Sequence, residues 1–224
     1  MKVVIMNDTT PDMHHGCTRV MRLLTEGLER HGLTIVARSP VHHDWEADPA
    51  LCAAIPRADL IVINGEGTLH HGKPAAARLL RVTEAAGEVP VALVNALYQD
   101  NPPDWDRWVR RLRHITTRDA RSASSIAPLT SVPPIVVPDL TLSARIPRGA
   151  VSVPVIYGDS VRREVATALA ERATREALPF VPSLSALKRV KGLTATGRRI
   201  RRWWIARHEA RRRAADLTGL AANA

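Results

Sequence analysis

The sequence predicts an α/β protein. It reads as a Rossmann-like parallel sheet with helices on both faces, followed by a short α-rich C-terminal region. Three observations carry this prediction. Residues 2–6, 60–63 and 91–94 are short, continuously apolar runs, the pattern of strands buried on both faces. Stretches with apolar residues at helical spacing separate them. The strands also run directly into polar or glycine-rich residues, as parallel strands do where ligands gather at their carboxyl ends.

The elements follow in order. Residues 2–6 form a first strand that opens into Asn7, Asp8, Thr9 and Thr10. From 17 to 30, Val20, Leu23, Leu24 and Leu28 mark a helix, with Gly32 placed to cap its end. Residues 34–37 are a second strand and 47–54 a short helix. Residues 60–63 are a third strand. A helix over 74–86 has Pro74 in its first turn. Residues 91–94 are a fourth strand, 105–112 a helix, 114–117 a short strand, 122–127 a short helix and 135–137 a last strand before Pro138 and Asp139. Prolines and a glycine at 147, 149 and 154 set a boundary within 143–154. This gives an α/β domain over 1–145 and the start of a truncated second α/β unit over 150–184. A basic helical tail covers 185–224.

The chain of 224 residues carries 32 basic and 22 acidic residues, a net charge of +10. Eleven of the basic residues lie in the tail, against Glu209 and Asp216. The rest is nearly neutral, so the charge describes a tail and not a nucleic-acid-binding body. No apolar run is long enough to span a bilayer. The apolar N-terminus is too short for a secretory signal. Cys17 and Cys52 make no disulfide framework and read as small buried hydrophobes. A cytoplasmic protein is expected.

The chemistry is expected where the strands end. Asn7 and Asp8 follow the first strand. Asn64, Gly65, Glu66, Gly67, Thr68, His70 and His71 follow the third. Asn95 and Tyr98 follow the fourth, Arg118 and Asp119 the short one, and Asp139 the last. In a doubly wound sheet these converge on one rim. Gly65 and Gly67 would permit close approach and positive φ. Amides of that loop and the next helix would cradle an anion. Glu66 would orient a hydroxyl or act as a base, and His70 or His71 would contact a phosphate or move a proton. The alternative is a tight strand-to-helix turn with Glu66 capping amides and both histidines on the surface. The dinucleotide fingerprint G-x-G-x-x-G is absent. Three His-His pairs, at 14–15, 42–43 and 70–71, raise the question of a metal. Adjacent histidines on extended backbone face opposite ways and no H-x-x-x-H accompanies them, so neither metal nor cofactor is expected. His15, just before the first helix, is placed to face the rim.

The order of these pieces resembles a family. N-D-T-T at 7–10, H-H-G-C at 14–17, N-G-E-G-T-L-H-H-G at 64–72, N-A-L-Y-Q at 95–99, T-R-D-A-R-S at 117–122 and V-P-D at 137–139 look like the polysaccharide pyruvyl transferases. The resemblance covers roughly residues 1–184. It implies a fold like the two-domain GT-B glycosyltransferases, with the α/β domain as the N-terminal one. It implies transfer of a pyruvyl group from phosphoenolpyruvate to a sugar hydroxyl, on a surface glycan or its lipid-linked precursor, with release of phosphate. Arg118, with Ser122 four residues on, would grip the anionic donor; the alternative is an ion pair with Asp119 or Asp139. Asp159 and Ser160 match the entry to the family's second half, or else cap the helix that follows. The family's G-R-x-H-A segment has an imperfect counterpart at 206–210, where Arg207 and His208 are adjacent. His208 is the motif-based candidate acid; His15 and His71 are the rim-based ones. Glu66 or Asp8 would assist attack by the sugar hydroxyl.

Two other functions stay open, a GT-B-like glycosyltransferase using a nucleotide sugar and a non-catalytic module that binds a glycan or partner. The tail reads as a helix over 197–217 with Arg on most faces and Trp203-Trp204 in its middle. It would cover a sheet edge or lie on an anionic membrane at the inner face. Nucleic acid is not the expected partner, and homo-oligomerisation is left open.

Overall fold

A computed structural model of the chain describes residues 1–12, 14–144, 155–160 and 162–181. Arg207, His208 and the tail at 185–224 lie outside these residues. Residues 1–12 and 17–144 form one compact unit. It holds β1 (Lys2–Asp8), α1 (His15–Arg30, from Cys17 onward), β2 (Thr34–Pro40), α2 (Pro49–Ala54), β3 (Leu60–Glu66), α3 (Pro74–Ala85), β4 (Val91–Ala96), α4 (Asp106–Val109), β5 (His114–Thr117), α5 (Ala120–Ile126) and β6 (Ile135–Val136). The six strands form one sheet in the order β2-β1-β3-β4-β5-β6, every pair parallel. This is the α/β Rossmann-like fold. Because all strands run one way, all their carboxyl ends share one rim.

Alternation of side chains across the strands splits the core into two layers. Val3, Ile5 and Val62 face Met21 and Leu24 of α1. Val4, Met6, Ile61, Ile63 and Leu93 face the other way, onto Leu51 of α2, Leu79 and Leu80 of α3 and Val109 of α4. The central strands are therefore buried on both sides, whereas edge strand β6 leaves Ile135 and Val136 exposed. The helix ends follow local chemistry. Asp48 accepts from the Ala50 and Leu51 amides and Pro49 stands in the first turn of α2. Asp119 caps α5 by accepting from the Ser122 amide at 2.8 Å. Gly32, at φ 76°, turns the chain after α1.

The helix expected over 105–112 is only α4, preceded by a 3-10 turn at Pro103–Trp105. Pro102 is extended ahead of Pro103, which opens the turn. The third strand is longer than expected. It continues through Asn64 and Gly65 to Glu66, which stands opposite Ala96 of β4.

The second unit is described at 14–16, 155–160 and 162–181. There β7 (Tyr157–Gly158) and β8 (Phe180–Val181) pair in parallel, joined by α6 (Arg163–Arg175), a small βαβ unit. Tyr157 Oη donates to Glu176 at 2.6 Å, and Arg172 holds the same carboxylate at 2.7 Å.

Gly65 exists because two backbones meet. A Cβ there would sit 2.6 Å from Ala96 Cβ and 2.7 Å from Ala96 Cα. Backbone cannot give way as a flexible side chain would. Gly65→Ala is expected to destabilise the unit by about 1–3 kcal/mol, read as a lower urea midpoint at unchanged slope.

Candidate functional site

The strand order reverses direction between β1 and β3, the switch point where such sheets open a crevice. Here that crevice is laced shut by side chains. Asn7, at φ 64°, donates through Nδ2 to the Asn64 carbonyl at 2.7 Å and to Thr68 Oγ1 at 3.0 Å. Glu66 Oε2 accepts from Thr9 Oγ1 at 2.8 Å and from Asn64 Nδ2 at 3.1 Å. Cys17 of α1 lies against the same carboxylate. Burial, followed by its hydrogen bond and charge repulsion with Glu66, pushes the Cys17 thiol up to about 12. Asp8 accepts from the Thr10 amide at 2.9 Å and meets Arg38 at 3.3 Å. Beside this network, Asn7, Ser39, His43, Trp45 and Thr68 help line a cleft of about 30 Å³, room for water and not for a sugar.

Three adjacent strands, β1, β3 and β4, end in left-handed residues that are not glycine: Asn7 at 64°, Glu66 at 38° and Asn95 at 56°. Asn tolerates this backbone through its short polar side chain, while Glu66 is strained there. Such strain collects at functional sites. It also corrects the expectation for the glycines. Neither Gly65 nor Gly67 takes positive φ; Glu66 and, at 57°, His71 do.

The loop after β3 does not offer the expected row of amides. The Thr68 amide donates to the Gly65 carbonyl at 3.0 Å, His70 to Thr68 at 3.0 Å and His71 to Gln99 at 2.9 Å, and Gly72 donates to Asn101 Oδ1 at 3.2 Å. An anion would have to displace these bonds. His70 and His71 bring their Nδ1 atoms within 2.8 Å, and Lys73 Nζ lies 2.8 Å from His70 Nε2. Desolvation, then the charge of Lys73 and the coupling to His71, hold His70 below the ordinary histidine value. His71 is exposed, with Asp100 3.5 Å from Nε2. Among the described residues no three His, Cys, Asp or Glu side chains come together around a metal-sized point.

The rim opens between the ends of β3, β4 and β5. Arg118 follows β5, its amide bound to the Ala96 carbonyl at 2.9 Å. Of its two expected ion-pair partners the structure chooses Asp139, at 2.6 Å from Nη1. Burial opposes ionisation of Asp139, but the Thr141 amide and Arg118 outweigh it and hold its carboxyl below the usual range. Asp119 serves α5 instead. Arg118 Nη2 points toward the β3 turn, 4.0 Å from where a Gly67 Cβ would stand. Asn95 lies between, 4% exposed. Its Oδ1 accepts from the Leu140 amide at 3.2 Å, and its Nδ2 is buried with no partner.

Tyr98 and Ser122, expected at the rim, face inward. Tyr98 is buried, its phenol pushed up to about 12 by that burial and then by the charge of Asp106. Ser122 Oγ accepts from the Tyr98 amide at 3.0 Å and donates to Asp119 at 2.8 Å. In the second unit His15 opens α1, where the Gly16 amide donates to His14 Nδ1 at 3.1 Å. Ser160 Oγ accepts the Arg162 amide at 3.2 Å, a turn ahead of α6, and Asp159 precedes it. Arg207 and His208 belong to the residues not described.

Sequence reasoning missed Cys17 as a partner of Glu66 and Arg19 as an anchor. Arg19 donates to the Thr141 and Ala144 carbonyls, both at 2.8 Å. Nothing in local spacing marks either, since each pairing spans loops far apart in the chain.

The Cys17 environment makes a direct prediction. A thiol raised to about 12 carries about a thousandfold less thiolate at pH 8 than an ordinary one. A thiol reagent at pH 8 should therefore label exposed Cys52 well before Cys17. Glu66→Gln should speed Cys17 labelling, read by mass spectrometry of the labelled peptides. Equal labelling of both cysteines in the wild type would contradict the described contact.

Compared with known proteins, the chain matches no protein-family model and no curated protein.

Proposed function

We propose that the chain is a transferase of the polysaccharide pyruvyl transferase type, with its acceptor and donor meeting at the rim between β3 and β5. The carrying observation is Arg118. It is a cation at the end of β5, with one nitrogen bound to Asp139 and another turned toward the Gly67 turn. A guanidinium fork suits the carboxylate and phosphate of phosphoenolpyruvate. Carboxylates and amides suit sugar hydroxyls, which both donate and accept.

In the proposed reaction a histidine gives a proton to the methylene carbon of the enol. The sugar hydroxyl oxygen bonds to the adjacent carbon, and its proton passes to a carboxylate. A second hydroxyl of the sugar then closes the ketal, its proton returning to the histidine, as phosphate leaves with the bridging oxygen and takes the proton held by the carboxylate. Of the two rim-based candidates, His71 is the acid in the same unit as Arg118, and Glu66 is the carboxylate beside the turn. The bonds from Thr9, Asn64 and Cys17 fix Glu66 in place.

The occupied amides of Thr68, His70, His71 and Gly72 count against the nucleotide-sugar alternative, because a diphosphate is commonly cradled by such groups. They favour a non-catalytic glycan-binding module as the second reading. The acceptor is proposed to be a lipid-linked glycan at the inner membrane face, met there by the basic tail. Among the described residues no helix is long and apolar enough to cross a membrane.

Titration calorimetry of the full chain with phosphoenolpyruvate tests the reading. Saturable binding is expected in the wild type. In Arg118→Ala it should fall by at least about tenfold, the loss of one charge-assisted pair. A folded wild type that ignores phosphoenolpyruvate but binds oligosaccharide would leave the binding module.

A further inference from the structure

Two buried polar atoms at the rim have no hydrogen-bond partner, Asn64 Oδ1 and Asn95 Nδ2. A buried unpaired donor costs free energy, and in a native site it is commonly a group kept for a ligand. Asn64 is already bound through its nitrogen to Glu66 within the β1–β3 network. Asn95 is different. Its oxygen is used by the Leu140 amide at 3.2 Å, which fixes which way the side-chain amide faces and leaves its nitrogen unpaired. Its left-handed backbone at 56° holds it there. The neighbouring residue of the same segment, Asp139, occupies Arg118 Nη1 at 2.6 Å. Arg118 and Asn95 thus both act on one short stretch, 139–140, from the ends of two adjacent strands.

We propose that Asp139 is an internal stand-in for a substrate carboxylate: it holds Arg118 until a planar carboxylate takes its place, bridging the guanidinium and the Asn95 Nδ2 donor. This rests on the reading of Arg118 as the anion-binding residue and deepens it. The ligand class follows from the occupant. Asp139 is itself a carboxylate of one negative charge, so a carboxylate exchanges for it without changing the local charge. A tetrahedral dianion would not match that exchange. The pair is about three-quarters buried on each side, so it is neither sealed off nor freely solvated. Exchange is therefore open to a competing ligand. Asp139 touches no substrate in this scheme; it sets the affinity by competing for Arg118.

The test measures binding of phosphoenolpyruvate, pyruvate and inorganic phosphate by calorimetry to the full chain and two variants. Asp139→Asn keeps the acceptor that the Thr141 amide uses at 2.9 Å and removes only the competing charge. It should bind phosphoenolpyruvate and pyruvate about fivefold tighter, the scale of a partly exposed ion pair. Damage to the fold does not produce a gain. Asn95→Asp keeps the left-handed backbone and the acceptor for Leu140, and turns the unpaired donor into an acceptor. It should bind both carboxylates at least about tenfold more weakly. Inorganic phosphate should gain nothing from Asp139→Asn. If the carboxylates bind no tighter, or more weakly, to Asp139→Asn, then Asp139 orients Arg118 and the proposal falls while the transferase reading stands. If pyruvate responds as expected and phosphoenolpyruvate does not bind, the carboxylate subsite stands and the transferase reading falls. Failure of every carboxylate to bind any of the three proteins overturns the proposal.

Discussion

A parallel sheet imposes one constraint on everything at its rim. Its strands all stop at the same edge, and each must turn out of the extended form within a few residues. In this protein the turn is made by Asn7, Glu66 and Asn95, three left-handed residues on three neighbouring strands. Once the chain turns there, the side chains of those residues no longer alternate between the two faces. They lie across the strand ends and bond to residues of neighbouring segments. The Asn7 bridge to Asn64 and Thr68 and the Thr9 bond to Glu66 follow from that geometry.

These bonds also decide where a ligand can go. At β1 and β3 the polar groups satisfy each other, so the usual crevice of the fold is closed by the protein itself. The Thr68, His70, His71 and Gly72 amides beyond β3 are likewise bound. Satisfied groups gain little from a new partner, because each new bond replaces an old one. At β4 and β5 the balance differs. Asn95 has a donor to offer, and Arg118 has more N–H groups than Asp139 can take. The unused hydrogen-bonding capacity thus lies two strands from the switch point, toward β5.

Much of the framework was legible in the sequence because it depends on short-range pattern. Continuous apolar runs gave β1, β3 and β4, and helical spacing gave α1 and α3. Pro74 at the start of α3 was readable for the same reason. Where a long-range contact decides the outcome, the local pattern misleads. Gly65 suggests a flexible turn, yet it is strand, and glycine is needed because Ala96 stands 2.6 Å from where its Cβ would be. Cys17 suggests core packing, yet it lies half-buried beside Glu66. Tyr98 suggests a rim residue by position, and the fold buries its side chain while its backbone amide donates to Ser122 Oγ. The polar strand ends named the rim correctly as a set, but not which members would be left with capacity to bind. That depends on pairings across 21 to 61 residues of chain, such as Arg118 with Asp139 and Asn7 with Thr68.

The stretch from Asp139 to Ala144 shows how these pairings combine. Arg118 holds its first residue, Asn95 its second, and Arg19 of α1 grips its third and last through their carbonyls. Those anchors come from the ends of β4 and β5 and from a helix on one face of the sheet. Two of them, Arg118 and Asn95, are the groups with remaining capacity for a ligand. A ligand that engages them cannot leave the stretch unaffected, because removing Asp139 from Arg118 frees its first anchor. The Arg19 bonds are to backbone carbonyls and do not depend on the charge of Asp139, so they remain as the fixed end. The stretch is therefore held in two independent ways, by backbone bonds at Thr141 and Ala144 and by the charge pair at Asp139.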